Sequence, residues 1–96
     1  MKTEYWPFDQ PPNCAVVTVK AIISGELPIL FVSHDEDDHS WQFLSGDPLS
    51  KQDALVVALG EIVELDPSIL RLADLPAGWV AIRRSANSYW ERKGCT

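Results

Sequence analysis

Two histidines bracket four consecutive carboxylates in this 96-residue chain: His34, then Asp35, Glu36, Asp37 and Asp38, then His39. Imidazole and carboxylate together suit zinc, manganese or iron, so a metal site is the first chemistry to weigh. The spacing argues against it. An EF-hand loop begun at Asp35 would put His39 at its fifth position, Ser40 where glycine makes the turn, and Gly46 where the bidentate glutamate belongs. Adjacent side chains on an extended or turning backbone also diverge, which is poor geometry for one ion. Paired-carboxylate acid–base chemistry could draw on the same run, but an exposed run lacks the burial that tunes a catalytic acid. No serine stands in a nucleophile-elbow context, and the five glycines are scattered through turns instead of forming a phosphate cradle. The residues therefore predict no catalytic group, no metal and no cofactor.

The same run carries the charge imbalance. No lysine or arginine lies between Lys20 and Lys51, while Glu26, Asp35, Glu36, Asp37, Asp38 and Asp47 contribute six negative charges. The other eight acids balance the eight bases, so the net charge of -6 belongs to one third of the chain. Such a pole steers partners and argues against nucleic-acid binding, which relies on lysine and arginine at phosphates. No apolar run approaches the roughly 18 residues that span a bilayer, and Met1 to Asn13 lacks an apolar signal core. A cytoplasmic protein without membrane contact is expected. Cys14 and Cys95 lack metal-type spacing and are read as a buried strand thiol and a tail thiol in a reducing compartment.

The elements that must position these residues follow from punctuation and period. Trp6-Pro7 and Pro11-Pro12 make residues 1–13 an extended lead-in. Cys14 to Ile23 and Pro28 to Ser33 are β-rich and separated by Ser24-Gly25, which predicts a hairpin. The acidic run is the next connection, a solvated hairpin tip in its blandest reading, and Trp41 to Leu44 forms a third strand. Ser50 to Asp53 resembles a capping box, and Leu55, Ala58, Leu59 and Ile62 then fall at helical spacing, predicting a helix that stops near Leu65 before Asp66-Pro67. Ser68 to Ala73 suits a short second helix, and Trp79 to Arg84 a fourth strand. The expected fold is α+β: a single domain over residues 1–96, with a mainly antiparallel sheet of about four to five strands and one principal helix on one face. Residues 85–96 form a tail that folds back, because Tyr89-Trp90 is too apolar to leave wet.

Aromatic residues supply the remaining signal. Trp41 and Trp79, inside strand patterns, are expected in the core, whereas Trp6 and Trp90 suit core or surface equally. An exposed aromatic beside an acidic loop fits a protein-binding face. Arg83, Arg84, Arg92 and Lys93 form a smaller basic cluster that offsets the acidic pole internally or lies solvated.

Three strings, DDHSWQFLSGD from Asp37 to Asp47, DALVVALGEIVELDPSI from Asp53 to Ile69, and LPAGWVAIRRSANSYWER from Leu75 to Arg92, resemble the bacterial immunity protein 33 family, formerly a domain of unknown function. Members look like small α+β proteins of contact-dependent or polymorphic toxin systems. The resemblance implies a non-enzymatic protein that binds and neutralises a cognate toxin, and it supplies no catalytic residues. An acidic loop could imitate the phosphates bound by a toxin's cationic working site. The expected contact set is Asp35, Glu36, Asp37, Asp38, His39, Trp41 and Trp90, on a monomer or weak homodimer. The alternative is a small metal-dependent enzyme or regulatory domain that uses the histidines and acids of the loop.

Overall fold

The structure is a computed structural model and describes residues 6–46 and 54–94. The expected helix start at Ser50 to Asp53, Asp47 of the acidic third and the tail thiol Cys95 lie outside the described residues. Among the described residues six strands form: β1 Ala15–Val19, β2 Phe31–His34, β3 Trp41–Leu44, β4 Ala54–Ala58 and β5 Trp79–Ile82 from valine-rich or aromatic runs, and β6 Glu91–Gly94 from a charged one. They make one sheet in the order β4-β1-β3-β2-β5-β6. Only β1 and β3 run parallel; the other neighbouring pairs are antiparallel. The fold is α+β as expected; among the described residues the sheet has six strands where four to five were expected, and it is mixed because β1 and β3 run parallel.

The expected hairpin between the first two β-rich runs does not form. Lys20–Ile23 leaves the strand as a short helix, α1, closed by the Ser24 N–H to the Lys20 carbonyl and by Gly25 at φ +85. This turn lifts the chain away from β1 and lets β3 take the place beside it. The antiparallel hairpin is instead β2 with β3, in register from Phe31 opposite Leu44 to His34 opposite Trp41.

The expected long helix is also divided. Ala54–Ala58 pairs along its whole length with β1, and the helix α2 covers only Leu59–Leu65. Val56 and Val57 are stiff at χ1 and suit a pleated strand, and five ladder positions outweigh a helical spacing that the same residues also satisfy. At the helix start the Glu61 carboxylate accepts from the Ala58 N–H at 3.2 Å. At its end Asp66 accepts from the Ser68 N–H at 3.1 Å, opening a 3-10 helix over Pro67–Leu72 with proline in its first turn.

Paired residues share a face and neighbours along a strand alternate, so the register assigns each side chain. Val16, Thr18, Val32, Trp41, Phe43 and Ala81 project to one face, where each is 1% exposed or less. Leu59, Ile62 and Val63 of α2, Ile69 and Leu72 of the 3-10 helix, Leu75, Phe8, Val19, Ile22 and Ile29 belong to the same buried cluster. The lead-in thus does more than extend: Phe8 meets Trp41 edge-on at 5.3 Å, and the Trp6 indole N–H donates to the Gln10 carbonyl at 2.6 Å. The opposite face carries Val17, Phe31, Gln42 and Val80, which are half-buried, and Val56, which is 70% exposed, while Val19 and Ser33 on that face are buried.

Arg83 ties this framework together. Its side chain is 1% exposed, donating from Nε to the Ile29 carbonyl at 2.9 Å and from Nη2 to Asp66 at 2.5 Å. Nη1 reaches the Ser68 hydroxyl and the Ala86 carbonyl, both at 3.1 Å, and the guanidinium lies 4.2 Å over the Trp90 ring. Burial alone would raise the Asp66 carboxyl, but hydrogen bonds from Ser68 and Arg83 and the Arg83 charge outweigh it and hold the group below its ordinary range.

Candidate functional site: an acidic hairpin tip

Residues 35–40 join β2 to β3, and their side chains divide into those that build the turn and those that leave it. The Asp35 N–H donates to the Ser40 carbonyl at 2.8 Å. The Asp35 carboxylate accepts from the Ser40 hydroxyl at 3.2 Å and from Gln42 Nε2 at 3.1 Å. Asp38 accepts from the Ser40 N–H at 3.1 Å, which closes the far side of the loop. Bonds from the Ser40 side chain and backbone hold the Asp38 carboxyl below its ordinary range, so it keeps its charge into more acidic solution. His39 turns the chain with φ +60, in the left-handed region. Asp35 is half-buried, while Glu36, Asp37, Asp38 and His39 are exposed.

A second turn buttresses the tip from β5. The Gly78 N–H donates to the His34 carbonyl at 2.7 Å, and Gly78 has φ +86. Glu36 lies against Gly78 so closely that a Cβ there would stand 3.3 Å from its Oε1. The next residue, Trp79, pairs with His34 across the β2–β5 ladder and is 39% exposed. Trp79 was expected in the core; it starts the strand next to last from one edge, and on its outer side its ring meets Gly94 of β6, which has no side chain to cover it.

Beneath the tip, His34 stacks on Trp41 with ring centroids 4.0 Å apart and 12° between planes. His34 Nδ1 lies 2.8 Å from the Leu75 carbonyl. A carbonyl only accepts, so Nδ1 carries a proton, and in the neutral ring Nε2 holds the lone pair, buried and without a protein partner. His39 is 6.2 Å away centroid to centroid, across a cleft of about 300 Å³ whose lining includes Asp9, Gln10, Asp74 and Leu75. Among the described residues no three histidine, cysteine, aspartate or glutamate side chains are grouped to hold a metal ion.

The structure does not gather all the residues expected at a contact surface. Asp35, Glu36, Asp37, Asp38 and His39 share the tip, although Asp35 spends its carboxylate on the turn. Trp41 is 1% exposed, because its ring is enclosed by Phe8, His34 and Phe43, and it supports the tip from below. Trp90 precedes Glu91, which pairs with Ile82 at the opposite end of the strands, so it stands away from the acids. The aromatic beside the tip is Trp79, and the local signal for it was the glycine turn that precedes it.

The basic cluster does not neutralise this pole. Among the described residues the two ion pairs are Arg83 with Asp66 and Arg92 with Asp74, and neither includes a tip carboxylate. Arg84 and Lys93 are exposed. Cys14 is a half-buried free thiol just before β1. Among the described residues no helix is long and apolar enough to cross a membrane. Compared with known proteins, the chain matches no family model, no curated protein and no solved structure.

Proposed function

We propose that this chain is a non-enzymatic binding module of the immunity type, which occupies the cationic working site of a cognate protein toxin with its acidic hairpin tip. One observation carries the reading: three exposed carboxylates, Glu36, Asp37 and Asp38, stand on a turn fixed by Asp35, Ser40 and Gln42 and unpaired with any described cation. A charged surface that is rigid before contact loses little entropy on binding and speeds encounter. Trp79 next to it offers the partly exposed aromatic area that would set the lifetime of the complex. Screening over about 8 Å at physiological salt confines the acids' influence to the final approach.

The isosteric triple change Glu36→Gln, Asp37→Asn, Asp38→Asn leaves Asp35 and the turn in place. Against the protein recovered by affinity capture on this chain, the variant should associate about 10-fold more slowly at low salt and show a flatter salt dependence. Trp79→Ala should act on dissociation instead. An association rate and salt slope equal to those of the unaltered chain would refute the role of the tip.

A further inference from the structure

The two edges of the sheet differ in a way that points to self-association. The β6 edge carries Glu91, Arg92 and Lys93, the charged pattern that blunts an edge against pairing. The β4 edge reads Ala-Leu-Val-Val-Ala, has no charge, and exposes Val56 by 70%. Among the described residues no strand lies beyond this edge, and its outward backbone groups can be assigned. The Leu59 N–H donates to the Cys14 carbonyl at 2.8 Å, one step beyond the Ala15–Ala58 pair. Hydrogen-bonded pairs alternate along an antiparallel ladder, so Leu55 and Val57 bond inward to Thr18 and Val16. Ala54, Val56 and Ala58 then point their N–H and carbonyl groups away from the sheet. Two contacts agree: the Ala58 N–H is free to bond Glu61, and Val17, opposite Val56, pairs on its other side with Gln42 of β3.

We infer that the β4 edge pairs antiparallel with β4 of a second copy of this chain, about a two-fold axis at Val56, to form a continuous twelve-stranded sheet. The strand is nearly palindromic about that residue, setting Ala54 opposite Ala58 and Leu55 opposite Val57 of the other copy. Val56 faces its own mate as a hydrogen-bonded pair, and every opposed pair shares a face, as an isologous contact requires. The two Val56 pairings and two Ala54 N–H to Ala58 carbonyl bonds form without displacing Glu61. Self-pairing of β6 about Arg92 would instead oppose two arginines. Five residues span only about 17 Å. Such a contact falls short of the roughly 800 Å² per partner of a standard interface, which makes the dimer weak, on the order of 0.1 mM. The axis reverses strand direction, so the two acidic tips leave opposite ends of the sheet and both stay accessible.

Sedimentation equilibrium of the full chain from about 10 μM to 1 mM should show the average mass rising toward that of two chains. Val56→Lys, at an exposed side chain, should keep the monomer at every concentration, while Lys93→Thr on the other edge should leave the curve unchanged. Amide exchange adds a signature of register: Val56 and Ala54 gain protection as concentration rises, whereas Leu55 and Val57, already bonded to β1, do not. A mass that stays monomeric to 1 mM overturns the inference. So does a dimer that persists in Val56→Lys, or one that forms without protecting the Val56 amide.

Discussion

Replacing Asp66 with asparagine isolates the charge that balances Arg83. The Arg83 side chain is 1% exposed, so without its counter-ion the guanidinium keeps its hydrogen bonds to Ile29, Ser68 and Ala86 but lies as an uncompensated buried charge. Breaking a buried pair from one side costs about 3 to 5 kcal/mol. The Asp66 side chain is 23% exposed, so water partly screens the vacated charge, and the lower end applies: about 3 kcal/mol. That is a large share of the roughly 5 to 15 kcal/mol that holds a small domain together. It corresponds to a fall in Tm of about 12 to 24 °C at this chain length. Thermal and urea unfolding followed by circular dichroism measure it. Acid adds an independent readout. The folded-state pKa of Asp66 lies below its unfolded value of about 3.9, so between the two the unfolded chain binds more protons. The stabilisation is complete above the unfolded value and is lost as pH falls through the folded one. Asp66→Asn should be flatter than the unaltered chain in that window. A loss below about 1 kcal/mol, or identical acid limbs for the two proteins, would refute the reasoning.

Two further substitutions test the tip. His39→Gly removes a side chain held at φ +60 and should leave stability unchanged or raise it by up to about 1 kcal/mol, measured by urea midpoint, with little effect on partner association. Gly78→Ala places a Cβ at φ +86 and 3.3 Å from Glu36, and should cost about 1 to 2 kcal/mol while shifting the amide resonances of residues 34–38.

Local punctuation was readable in the residues, and partners distant along the chain were not. The acidic run between two apolar stretches reads directly as the β2–β3 turn, and Asp66-Pro67 marks the end of α2 because both the cap and the proline act within three residues. Leu55, Ala58, Leu59 and Ile62 satisfy a helical period, yet the ladder to β1, nearly forty residues earlier, turns the first two into strand. The parallel placement of β1 beside β3 depends on where α1 carries the chain, which no pattern within β1 records. Arg83, expected to offset the acidic pole or lie solvated with Arg84, Arg92 and Lys93, does neither, since its partner Asp66 stands 17 residues away. At the tip, the sequence supplied the charges; that Asp35 is consumed by the turn and Trp79 exposed follows from cross-strand pairing.

The order of strands also separates the molecule in time. β4, β1, β3 and β2, the first four strands of the chain, occupy four adjacent places, and β5 and β6 add at one side. During synthesis residues up to Ala58 already contain the entire acidic turn and both strands it joins, and domains begin to fold from the N-terminal side. The props arrive later: Leu75 for His34, Gly78 for the His34 carbonyl and Glu36, and Arg83 for Ile29. A nascent or truncated chain would thus display the charge of the tip before its supports from residues 75–83 are in place, and under the proposed binding role it would attract a partner before it could select one.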